Sequence, residues 1–225
     1  MKKRRPKSWL LWGLLMISVG LNLVLWQGRG ERRETEGFYR VRRVLDGDSF
    51  VIGIDESIRL INVDAPEYDF CLGKEAKERL EELILEKEVK IEPVGKDQFH
   101  RVLAFVYLPD GRLVNEIMLA EGLARYNRNK TRLKERMKSA ANRAKEQKLG
   151  IWSPKCYQLE NPENPECNIK GNINKRTGEK FYHLPECLEY GRVVVELNMG
   201  EQWFCSEEEA QRAGYRKAGS CDLNR

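Results

Sequence analysis

Outside its first 27 residues this 225-residue chain lacks net charge. Lys2, Lys3, Arg4, Arg5 and Lys7 put five positive charges into a stretch that contains no acid. Leaving them aside balances 35 basic against 35 acidic residues, so the overall +5 is not a bulk field. Nucleic-acid binding by such a body requires a local basic patch. The sequence also lacks a paired C-x2-C knuckle, the usual spacing of a structural zinc site. It has no internal repeat, and its length leaves room for one ordinary domain plus a small appendage. With 41% apolar and 33% charged residues, it is not a disordered chain.

Residues 9–26 (WLLWGLLMISVGLNLVLW) carry no charge, and only Ser18 and Asn22 are strongly polar. A spanning helix needs about 17–25 apolar residues, whereas a secretory apolar core runs to roughly 7–15. Trp9, Trp12 and Trp26 lie near the ends, where interfacial aromatics gather. The segment therefore predicts a basic tip and signal anchor over 1–30. The expected arrangement is a single pass through the cell membrane, with the N-terminus inside the cell and the remainder extracellular or periplasmic. Secretion after cleavage near Ser18-Val19-Gly20 is the alternative. Residues 31–37 read as a charged, solvated linker. For an exported body the six cysteines predict disulfides, with 15 possible pairings. Zinc held by His183, Cys187, Cys205 and Cys221 is the competing reading.

Short β-branched runs predict strands over Phe38–Leu45, Ser49–Ile54, Ile58–Val63, Val89–Pro93 and Val102–Leu108. Ala76, Leu80, Leu83 and Ile84 form a helical stripe within Gly73–Lys87, and further helices are predicted over Leu113–Tyr126 and Thr131–Leu149. Five short strands with an inserted helix can close a barrel of the oligonucleotide-binding type. The fold class is thus α+β: a five-stranded barrel with three helices over 38–153. A proline-containing linker (154–166) and a small cysteine-containing α+β unit (167–225) follow. In that last unit Ser206 to Glu209 carries a capping-box pattern and Gly214 a helix stop.

Three strings concentrate charge at strand ends: VLDGDSF (44–50), RLINVDAPE (59–67) and DQFHRVLAFVY (97–107). Taken singly, Asp46-Gly47-Asp48 is turn chemistry and Asp64-Ala65-Pro66-Glu67 a strand exit. Arg59 opens a strand whose alternation puts Arg59, Ile61 and Val63 on one face and Leu60, Asn62 and Asp64 on the other. Arg101 is a charge at the edge of an apolar run.

Together the strings resemble the staphylococcal-type thermonuclease family, from about Tyr39 to Ser153. The resemblance implies a Ca2+-dependent endonuclease acting on single- and double-stranded DNA and on RNA, leaving 3′-phosphate ends. It assigns Ca2+ to the carboxylates of Asp48 and Asp64 and the carbonyl of Ala65, a set of hard oxygen ligands. Glu67 matches the residue that activates the attacking water, and Arg59 and Arg101 match the two that grip the phosphate. Asp46 is expected to shape the turn. Phe99 and Tyr126 are candidate base-stacking residues, and His100, which replaces a family glycine, is read as an exposed loop residue. Pairing of Cys71 with Cys156 is also implied. The C-terminal string resembles an accessory domain on bacterial exported nucleases. Membrane contact is expected through 9–26, and no obligate protein partner is indicated. An inactive, tethered nucleic-acid-binding module is the alternative function.

Overall fold

The computed structural model describes residues 37–221. Strands β1 (Phe38–Val44), β2 (Ser49–Ile52), β3 (Glu56–Leu60), β5 (Glu88–Lys96) and β6 (Val102–Tyr107) close a barrel in the order β1-β2-β3-β6-β5. All neighbours are antiparallel except β3 and β6, which run parallel. The crossover between these two contains helix α1 (Gly73–Ile84), as the order of predicted elements requires. Helix α1 buries Ala76, Leu80, Leu83 and Ile84, the predicted stripe, against the barrel core around Phe50, Phe105 and Val41. Each large apolar side chain so buried contributes about 1.5–3 kcal/mol.

Two predicted elements differ most in the structure, beside the strand expected over Val89–Pro93, which runs from Glu88 to Lys96, and the expected linker 154–166, which contains a short strand at Tyr157–Gln158. The strand expected over Ile58–Val63 stops at Leu60, and a short strand, β4 (Val63–Asp64), resumes beyond Asn62. Asn62 has φ +64° and is buried. Its Nδ2 donates to the carbonyls of Asn127 (2.8 Å) and Asn129 (2.9 Å), and its Oδ1 accepts from Thr131 Oγ1 (2.7 Å). These bonds hold a left-handed turn that interrupts the alternation of the strand. The helix expected over Leu113–Tyr126 is α2, Val114–Ala120 only, and Arg125–Tyr126 forms strand β7 against β4. Gly122, at φ +69°, ends it; a Cβ there would lie 2.5 Å from the carbonyl oxygen of Leu149. Helix α3 is Lys134–Glu146, within its predicted span.

Beyond the barrel, β8 (Tyr157–Gln158) pairs with β11 (Val195–Glu196). Strands β9 (Ile169–Ile173), β10 (Lys180–His183), β12 (Trp203–Phe204) and β13 (Arg216–Lys217) form a second sheet over a separate core that includes Tyr182, Phe204 and Tyr215. Ser206 Oγ accepts from Glu209 N (3.2 Å) at the start of helix α4 (Glu207–Arg212), and Gly214 follows at φ +84°, as the capping pattern predicts. Within the described residues, those from Phe38 onward make up one compact unit.

Three disulfides join Cys71 to Cys156, Cys167 to Cys205 and Cys187 to Cys221. The zinc reading is thereby overturned: Cys187, Cys205 and Cys221 are oxidised, and a metal ligand must be a thiolate. Among the described residues no helix is long and apolar enough to cross a membrane; the predicted anchor at 9–26 lies outside them.

Candidate active site

The D-G-D-S turn, the Arg59 strand and the string ending in Arg101 meet at one rim of the barrel. β3 lies between β2 and β6, so Arg59 is flanked in register by Ser49 and by Leu103. Its guanidinium donates through Nη1 to Asp48 Oδ1 (2.6 Å) and through Nη2 to Asp64 Oδ1 (2.8 Å). Strict alternation predicted that Arg59 and Asp64 face opposite ways. The left-handed Asn62 reverses the phase and brings them together.

Asp48 is buried. Its Oδ1 also accepts from Ser49 Oγ (2.7 Å) and its Oδ2 from Ala65 N (3.1 Å). Burial pushes its carboxyl up to about 7, against the opposing pull of Arg59. Asp46 shapes the turn as expected, its Oδ1 accepting from Asp48 N (2.9 Å). Gly47 must be glycine, because a Cβ there would lie 2.7 Å from the Cβ atoms of both Ala65 and Ala76. The turn is thus pressed onto α1 and onto the proposed metal ligands.

Arg101 completes the chain of contacts. Its Nη1 reaches Ser49 Oγ (3.3 Å), and its Nε donates to Asp97 Oδ2 (2.7 Å). Asp97 Oδ1 accepts from the backbone N–H groups of Phe99 and Arg101, which curls the loop so that Arg101 points inward. The result is a continuous network: Asp97, Arg101, Ser49, Asp48, Arg59, Asp64. Sequence reasoning missed Asp97 and Ser49 as members. The available signals were an Asp four residues before an Arg, and a hydroxyl beside a buried carboxylate.

Glu67 is exposed, and its side chain makes no hydrogen bond or ion pair among the described residues. Its backbone is fixed, however. Phe70 N donates to the Glu67 carbonyl (2.9 Å), and a Cβ on Gly73 would collide with that carbonyl. Phe99 is 68% exposed, with the Arg101 guanidinium 5.5 Å from its ring centre. Tyr126, on β7, is half-buried and lines with Asp64 a cleft of about 1220 Å³. His100 is exposed at φ +64°, a conformation that glycine adopts without strain.

Among the described residues no group of three or more His, Cys, Asp or Glu side chains is placed to hold a metal ion. A cation at this rim would have two carboxylates, those of Asp48 and Asp64, and would fill its shell with backbone, water or substrate oxygens. That all-oxygen set fits a hard divalent ion such as Ca2+. A carbonyl ligand at Ala65 needs no particular side chain, and the N–H of that residue is bonded to Asp48 Oδ2.

The family described as "Staphylococcal nuclease homologue" matches residues 57–154. The chain is 35% identical to an uncharacterized endonuclease of Escherichia coli over 121 residues, which are 51% of this chain and 76% of that protein. The chain belongs to the staphylococcal nuclease family. It is likewise 33% identical over 137 residues to a thermonuclease of Staphylococcus hyicus, with 55% of this chain and 80% of that protein aligned. A micrococcal nuclease of Shigella flexneri is 33% identical over 127 residues, covering 50% and 72%. The unit beyond residue 154 lies outside the stretch the family matches.

Proposed function

We propose that this chain is a calcium-dependent endonuclease, a hydrolase that cleaves phosphodiester bonds of DNA and RNA outside the cytoplasm and leaves 3′-phosphate ends. The observation that carries the reading is the network from Asp97 to Asp64. It gathers two arginines and three carboxylates at one rim, in a family whose relatives are named as nucleases.

Asp48, Asp64 and the Ala65 carbonyl would hold Ca2+, which would supply positive charge against the phosphate oxygens. Arg59 and Arg101 bind those oxygens through planar N–H forks, whose geometry matches a phosphate as a lysine's does not. Arg59 also offsets the repulsion between Asp48 and Asp64, and Asp97 aims Arg101. Glu67 takes the proton of the attacking water. The new P–O bond forms as the bond to the 5′-oxygen breaks, that oxygen takes a proton from solvent water, and Glu67 returns to solvent the proton it took. Charge that builds on the phosphorus oxygens meets donors already in place, which is where such sites gain most of their rate.

Three disulfides among the described residues support an oxidising compartment. Together with the apolar stretch 9–26, they underlie the proposal that the protein is anchored in the cell membrane or secreted.

The test is hydrolysis of single-stranded DNA by the full chain, with Ca2+ or with EDTA, beside Glu67→Gln and Arg101→Ala. Cutting is expected only with Ca2+, and Arg101→Ala is expected to lower the rate about 100- to 1000-fold. Folded, oxidised wild type that binds DNA without cutting it would leave the binding-module reading in its place.

A further inference from the structure

The cleft that reaches Asp64 and Tyr126 continues along α3 to the turn between β9 and β10. Eight of its lining residues are basic and three are acidic. The imbalance is local, since the exported body as a whole is formally neutral. One wall is α3, where Lys134, Lys138 and Lys145 recur at helical spacing along the exposed face, beside the buried Met137, Ala140 and Ala144. The facing wall belongs to the C-terminal unit, through Lys175 and Arg176.

Ion pairing separates these cations from their neighbours. Arg132 and Arg136, turned away from the cleft, are neutralised by Glu92 and Glu116. Inside the cleft, Lys175 and Arg125 share Glu196. Arg128, Lys130, Lys138, Lys145 and Arg176 are exposed and have no ion-pair partner among the described residues. Left uncompensated, facing charges repel each other, and they favour a polyanion lying between them. From Lys134 to Lys145 the stripe spans about 17 Å at 1.5 Å per residue. That length corresponds to roughly five phosphates of one strand at B-form spacing.

We propose that this cleft is the track for the nucleic-acid strand that continues beyond the cleaved bond, and that Lys175 and Arg176 make the C-terminal unit a substrate-gripping element. The inference rests on the nuclease reading for the identity of the strand. The barrel rim holds the reacting phosphate, and the cleft holds the phosphates that follow. A polymer several nucleotides long therefore engages both walls, whereas a fragment that fills only the rim engages neither.

The experiment measures binding of the full chain to fluorescent single-stranded DNA of 4 and 20 nucleotides in EDTA, as a function of salt. Hydrolysis of the 20-mer with Ca2+ is followed in parallel. The wild type is expected to bind the 20-mer more tightly and with a steeper salt slope than the 4-mer. The paired substitution Lys138→Ala and Arg176→Ala removes two exposed side chains without ion-pair partners. It is expected to lower the 20-mer's slope by about 1.4, at roughly 0.7 per phosphate contact on a single strand. Lys130→Ala with Lys138→Ala, confined to the barrel side, gives a second reading should the first variant fold poorly. An unchanged slope and length preference in a folded variant overturns the track, while hydrolysis by the wild type still upholds the nuclease. A sulfated polysaccharide bound tightly while the 20-mer is not also overturns it, since the cleft then serves another polyanion. Loss of the slope without any Ca2+-dependent hydrolysis by the wild type supports the track and refutes the nuclease.

Discussion

Asp97 touches no other carboxylate of the site, yet the direction of Arg101 depends on it. It binds the guanidinium through Oδ2 and two backbone N–H groups through Oδ1. Asp97→Ala is expected to lower turnover about 10- to 100-fold, the usual effect of losing an outer-shell partner. Asp97→Asn keeps the loop bonds and loses the charge, so it should fall between the two; steady-state kinetics on DNA will tell. The site's membership was legible for Asp48, Arg59, Asp64 and Arg101, because these residues stand in recognisable strings. Asp97 was not legible, because an Asp before a loop is also ordinary turn chemistry. A second residue-scale expectation concerns His183, whose pKa burial lowers from its ordinary value and whose Nδ1 has no hydrogen-bond partner among the described residues. Glu189 pulls that value up and Lys170 pushes it further down. The folded protein thus refuses a proton that the unfolded chain accepts. This contribution to stability is complete above about pH 6.5 and is lost as the pH falls toward the depressed folded value. Urea unfolding at pH 7.5 and 5.5 should show a smaller acid loss for His183→Gln than for the parent.

At the scale of elements, the decisive feature is how short turns place strand ends. The order of the five barrel strands and of α1 could be read from β-branched runs and the 76-80-83-84 stripe, since both periodicities follow from burial on one face. Alternation failed at Asn62 because three bonds from Asn127, Asn129 and Thr131, all distant in sequence, stabilise its left-handed backbone. The over-long helix at Leu113–Tyr126 failed for a similar reason. Gly122 must accept the close approach of Leu149, which the local sequence does not announce. The D-G-D turn is the element most exposed to substitution. Gly47→Ala places a methyl group 2.7 Å from both Ala65 and Ala76, so the turn must lift away from α1. Overpacking of this kind costs about 1–3 kcal/mol. Thermal melting should report that loss, and calorimetric titration should report a weaker affinity for the proposed calcium ion, because the same turn carries Asp48.

Across the whole molecule, the segment bearing Glu67 is braced from two directions. Cys71 ties it to Cys156, 85 residues away, and the Phe70 ring fills the place where a Cβ on Gly200 would stand, 2.6 Å from it. A loop of that length is expected to contribute about 2–4 kcal/mol through its disulfide. Cys71→Ser with Cys156→Ser should lower the unfolding free energy by that amount in denaturant titrations. The same cross-link bears on the timing of activity. A chain still in a reducing compartment has not formed the bond, and the residue proposed to activate water then sits on a segment with one brace fewer. Rates measured with and without a thiol reductant should differ, the oxidised protein being the faster. If the protein is exported as proposed, an enzyme that destroys nucleic acid would in this way stay subdued beside the genome of the cell that makes it, and reach full strength only in an oxidising space.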